Sequence, residues 1–72
     1  MKPEHMVHMA NQIAGFFAAY PREQAVDSVA DHLRKFWEPR MRTALIDYAK
    51  SGGGGLQELV VAAIPKLDHP RG

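Results

Sequence analysis

Phe36-Trp37-Glu38-Pro39-Arg40-Met41-Arg42, at the middle of the 72-residue chain, decides how the rest is read. One helical pattern runs into this stretch and another runs out of it. Pro39 suits the first turn of a new helix, because its φ is already helical and its missing N–H has no partner there in any case. Trp37 is the only tryptophan, and an aromatic anchor at a helix–helix corner is an ordinary bundle part. The stretch also reads as a docking knob, since Trp and Arg are enriched where interfaces concentrate binding energy. Arg34, Lys35, Arg40 and Arg42 gather positive charge around it.

Upstream, Met6, Met9, Ile13, Phe16 or Phe17, and Tyr20 recur at spacings of three and four, one apolar stripe of a helix over about 4–19. Gly15 either weakens that helix or admits a close neighbour. Tyr20-Pro21 ends it, because a residue before proline is pushed out of helical geometry. A second helix is expected over 22–37, with Glu23 in its first turn and Arg34 and Lys35 in its last, the order the helix dipole favours. Its inward stripe is Val26, Val29, Leu33, and Phe36 or Trp37. Asp31 and Lys35 stand at the i, i+4 spacing of a surface ion pair.

Beyond the corner, a third helix is expected over 40–50, through Met41, Leu45 and Tyr48. Gly52-Gly53-Gly54-Gly55 then acts as a stop and a flexible connector. Leu56, Leu59, Val60, Ala63 and Ile64 predict a short helix over 56–64 that fails at Pro65, leaving 65–72 as a flexible C-terminal tail. No segment alternates with period two. The fold class is therefore all-α: a small three- to four-helix bundle, a single domain over 1–64, with Met9, Ile13, Phe17, Val29, Leu33 and Leu45 inside.

Composition narrows the function. There is no cysteine, so no disulfide and no Cys-based zinc site. A chain this short buries only about 60% of its unfolded surface, and much of its 46% apolar content is alanine. A partner would add the stability such a thin core lacks. A net charge of +1 is not the footprint of a nucleic-acid binder. No apolar run reaches the roughly 20 residues of a membrane span, and Ile13–Tyr20 lacks the basic leader of a signal peptide. A cytoplasmic protein without membrane or nucleic-acid partners is expected.

No residue pattern carries catalysis or a cofactor. His5 and His8, flanked by Met6 and Met9, lack a third metal ligand. His32 has only Asp31 beside it, which faces elsewhere on a helix. The glycine run lacks the Gly-Lys-Ser/Thr ending of a phosphate loop. A helix-turn-helix with Arg40 and Arg42 reaching a DNA groove would have Glu38-Pro39 as its turn in place of the usual glycine-containing one. Catalytic, cofactor-binding and metal residues are accordingly none, and a protein-binding surface is the better reading.

Met9-Ala10-Asn11-Gln12-Ile13-Ala14 ahead of Phe16-Phe17, then Ala30-Asp31-His32-Leu33, then the central stretch, then Gly55-Leu56-Gln57-Glu58-Leu59-Val60 after a glycine-rich break, resemble in that order the delta subunit of NAD-dependent formate dehydrogenase. The resemblance runs from Met6 to about Ile64. It implies a small, cytoplasmic, non-catalytic accessory subunit that assists assembly, maturation or stability by binding a larger subunit, above all the catalytic one. In such enzymes the larger subunits carry bis-molybdopterin guanine dinucleotide with molybdenum or tungsten, iron–sulfur clusters, FMN and the NAD site. They oxidise formate to carbon dioxide and reduce NAD+.

On that reading Phe36, Trp37, Pro39, Arg40, Met41 and Arg42 form a docking corner, the arginines pairing with acidic groups or carbonyls. Asn11 and Gln12 add polar contacts from the first helix. The isolated chain could pair its exposed stripe with a second copy as a homodimer. The competing class is an independent small helical module, regulatory or nucleic-acid-binding, which salt-sensitive retention on DNA would favour.

Overall fold

The computed structural model describes residues 2–68. Four helices follow one another, α1 (Pro3–Phe17), α2 (Arg22–Phe36), α3 (Pro39–Lys50) and α4 (Glu58–Asp68), with no strand among the described residues. The architecture is the all-α bundle expected from the periodicity.

Prolines mark the helix starts. Pro3 and Pro39 open α1 and α3, and Pro21 immediately precedes α2; none of these three starts has a side-chain cap hydrogen bond. Pro39 holds Glu38 extended at φ −63° and ψ 150°. Trp37 is extended too, and α2 closes with the Trp37 N–H donating to the Leu33 carbonyl at 3.0 Å. Two extended residues thus turn the chain from α2 into α3. α1 stops at Phe17, short of the expected 19, because Ala18 and Ala19 lie exposed and have no core to join.

The glycine run is tied down rather than slack. α3 ends in a Schellman motif: the Gly52 N–H reaches the Ala49 carbonyl at 3.3 Å and the Gly53 N–H the Tyr48 carbonyl at 3.0 Å. Gly52 has φ +126°, open to glycine and strained for any other residue. The Tyr48 hydroxyl donates to the Gly54 carbonyl. Asn11 of α1 then clamps the far end: its Nδ2 donates to the Gly55 carbonyl at 2.9 Å, and its Oδ1 accepts the Gln57 N–H at 2.8 Å.

The last helix differs from the expected 56–64 at both ends. Leu56 belongs to a turn, its N–H bonded to the Gly53 carbonyl at 3.1 Å, so α4 begins at Glu58. At the other end Pro65 does not stop it, and the helix continues to Asp68. Proline removes one bond, to the Val61 carbonyl, but Val61 and Pro65 share the exposed face where water can take that carbonyl. Tertiary contacts hold the following turn: Lys66 Nζ pairs with Asp27 at 2.9 Å, Arg34 donates to the Lys66 carbonyl at 3.0 Å, and Leu67 packs on the core. Residues 69–72 of the expected tail lie outside the described residues.

The core forms where α4 lies along α2. Val26, Val29, Ala30 and Leu33 meet Val60, Ala63 and Ile64, with Leu45 from α3 and Ala10 and Ala14 from α1. Small alanines at these positions let α1 sit close. Of the residues expected inside, Val29, Leu33 and Leu45 are fully buried and Ile13 and Phe17 partly so. Met9 is a correction: it is 36% exposed, because Met6, Ala10 and Ala14 make the inward row and Met9 falls about 60° round the helix from Met6.

Candidate functional site

The residues expected to form one docking corner are divided by the fold. Trp37 is buried, only 7% exposed, and belongs to the core cluster. Its indole offers a partner almost no surface. Arg42 is half-buried, and its Nη1 donates to the Arg34 carbonyl at 3.1 Å. That carbonyl lies in the last turn of α2, where intrahelical donors run out, so the guanidinium satisfies it and complements the helix dipole. Met41 is half-buried against the core. Asn11 is committed to the α4 clamp. Phe36, Pro39, Arg40 and Gln12 remain exposed, and Arg40 has no hydrogen bond or ion pair among the described residues.

The exposed aromatics assemble elsewhere. Phe36 stacks on His32 with centroids 4.7 Å apart; His32 meets Phe17 at 6.2 Å; Phe17 meets Phe16 edge-on at 5.0 Å and Tyr20 at 5.9 Å. One aromatic row therefore crosses from α2 to α1. Beside it runs a shallow groove lined by Met9, Gln12, Ile13, Phe17, His32 and Trp37. Phe16 is 72% exposed and Phe36 71%.

The sequence folds this way for a simple reason. Phe16 and Phe17 lie about 100° apart on α1, so only one can face the core; Phe17 does, and Phe16 points out. At the corner, the extended backbone at Trp37 turns the indole in and leaves Phe36 outside. Each aromatic doublet thus sends one ring inward and one outward, and the two outward rings finish on the same face. Phe36 is among the expected docking residues, but reading Phe16-Phe17 as two candidates for one core position missed Phe16, together with Met9, Tyr20 and His32. A sequence signal was present: from His5 to Pro21 there is no Asp, Glu, Lys or Arg. A surface helix normally carries charge on its outer face, as α2 does with Glu23, Asp27, Asp31 and Lys35.

This face is suited to binding apolar surface. Among the described residues no group of three His, Cys, Asp or Glu side chains is placed to hold a metal ion, and no helix is long and apolar enough to cross a membrane. His5 and His8 are exposed on the first half of α1.

Comparison with known protein families yields a match over residues 5–64, which spans α1 to α3 and most of α4. The matching family is described as "NADH-dependant formate dehydrogenase delta subunit FdsD". Among curated proteins and among solved structures, nothing matches the chain.

Proposed function

The chain belongs to the formate dehydrogenase delta-subunit family, and from that membership we propose that it is a non-catalytic accessory subunit of a cytoplasmic NAD-dependent formate dehydrogenase. It binds a larger subunit of the complex and assists assembly, maturation or stability of the formate-oxidising holoenzyme. The observation that carries this reading is the family match over nearly the whole described chain.

Chemistry is assigned to the larger subunits, with their molybdenum or tungsten centre on bis-molybdopterin guanine dinucleotide, their iron–sulfur clusters, FMN and NAD. This chain has no cysteine thiolate with which to hold an iron–sulfur cluster. From the expected docking set, the residues available to a larger subunit are the exposed ones: Phe36, Pro39, Arg40 and Gln12.

The test is to tag the chain in its native host, purify gently, and assay the eluate for the larger subunits, for molybdenum or tungsten, and for formate-dependent NAD+ reduction. A stoichiometric active complex is the expected result for a resident subunit. Larger subunits lacking metal would identify a partner that acts during maturation. A chain that purifies alone or with nucleic acid, and whose deletion leaves formate oxidation unchanged, overturns the proposal.

A further inference from the structure

We infer that the aromatic face formed by Phe16, Tyr20, Met9, His32 and Phe36, whose α1 side carries no charged residue, is the surface by which this chain docks, and that an apolar surface of a larger formate dehydrogenase subunit covers it. The inference rests on the accessory-subunit reading and goes beyond it by naming the face and the chemistry of its counterpart.

Three observations select this face. The first is charge. The α1 side of the row lies within the His5–Pro21 run that lacks every acidic and basic residue, and depletion of charge marks the core of an interface. The counter-surface over that α1 side must then be uncharged as well, because a charge buried against it would find no partner. The second is pre-organisation. Phe16, Phe17, His32 and Phe36 already rest on one another and stand on two helices, so little side-chain freedom is lost on docking. By contrast, two of the three anchors expected at the corner, Arg42 and Trp37, are taken up within the chain, and only Arg40 stays exposed.

The third is area, which chooses the occupant. Phe16 and Phe36 are 72% and 71% exposed, Tyr20 46% and Met9 36%. With aromatic side chains offering about 150–250 Å² each, the four together present roughly 500 Å². Two copies laid face to face would bury about 1,000 Å², short of the roughly 1,200–2,000 Å² of a stable interface. A larger subunit with a concave surface can also cover the rim, including Gln12 and His5, and so reach the usual share of about 800 Å² per partner. The occupant is therefore a larger subunit, not a second copy.

The experiment co-expresses the full chain, tagged, with the larger formate dehydrogenase subunits. It compares wild type with Phe16→Glu, Phe36→Glu, the double variant, and the milder pair Phe16→Ser and Phe36→Ser. Thermal unfolding of each isolated chain controls for folding, and light scattering gives its oligomeric state. Wild type should retain the larger subunits stoichiometrically and run as a monomer when isolated. Each Glu variant should lower retention about tenfold or more, and the double variant should abolish it. Unfolding should stay within a few degrees, since both rings lie outside the core. If a Glu variant fails to fold, the Ser pair supplies the answer. Retention of the larger subunits by the folded double variant overturns the inference while leaving the accessory-subunit reading intact. An isolated wild-type dimer that Phe16→Glu dissociates also overturns it, by making a second copy the occupant. If wild type itself retains no larger subunit, the accessory-subunit reading fails, and the inference falls with it.

Discussion

Replacing Trp37 with alanine separates the two readings of the central stretch, since a core residue and a docking knob lose different things. Trp37 is 7% exposed and sits in the same cluster as Leu33, Leu45 and Val60. An indole buries about 200 Å² or somewhat more, which at 25 cal/mol per Å² is about 5 kcal/mol of transfer free energy. Residual compactness of the unfolded chain lowers this by roughly 10–40%, to about 3–5 kcal/mol. Measured Trp→Ala losses in protein cores fall in the same range, about 3–5 kcal/mol. At 0.05–0.15 kcal/mol per residue, a chain of this length has a total stability of only about 4–11 kcal/mol. Trp37→Ala should therefore lose between about a quarter of the stability and all of it.

Urea unfolding followed by far-ultraviolet circular dichroism measures this directly, because the substitution removes the only tryptophan and with it the fluorescence signal. Trp37→Phe, which keeps an aromatic ring in the site, should lose clearly less and stay folded. In the wild type, indole emission should already be blue-shifted and should change little when the larger subunits are added. A Trp37→Ala chain that unfolds within about 1 kcal/mol of wild type yet no longer retains a larger subunit would refute the core assignment, and with it the reasoning that the corner turns its indole inward.

Four further outcomes follow from the loops and helix interiors. Asn11→Ala removes both bonds of the clamp on Gly55 and Gln57 and should lower stability by about 1–2 kcal/mol, a fall in Tm of about 10 °C for a domain of this size. Gln12→Ala next to it is exposed and should stay within about 0.5 kcal/mol in the same thermal scan. Gly52→Ala forces a side chain onto φ +126° and should lose about 1–2 kcal/mol. Gly15→Ala, with nothing within 4 Å of the added Cβ, should gain about 0.5–1 kcal/mol from helix propensity; urea midpoints check both.

The helix starts were legible because their causes are local. A proline fixes φ for itself and restrains the residue before it wherever the chain goes, so Pro3, Pro21 and Pro39 could be read in isolation. Repeating apolar positions gave the helices between them in the same way. Asn11 could not be read like this. Its partners lie 44 and 46 positions away, and nothing adjacent distinguishes it from Gln12, whose exposed side chain has no hydrogen bond among the described residues. Pro65 shows the opposite case, a local rule overridden by tertiary contacts: Arg34, Asp27 and the buried side of Leu67 hold the turn that proline alone would end.

The rotational setting of α1 explains why the candidate face was hidden in a sequence that contained its residues. Periodicity says that one side of a helix is apolar, and α1 is apolar on more than one side. Which side goes in is decided by close packing, and Ala10 and Ala14, fully buried, allow the nearest approach to the other helices. That choice draws in Met6 and half of Phe17, and it leaves Met9 and Phe16 outside with no charge between His5 and Pro21 to solvate them. A bundle this small has no further helix to cover the remainder, and a chain selected only to fold alone would have placed Lys or Glu there, as α2 does on its own outer side. The surplus of apolar surface on α1, joined through Phe17 and His32 to the ring that the Trp37 turn leaves outside, is thus the feature that folding does not account for and that the proposed docking would.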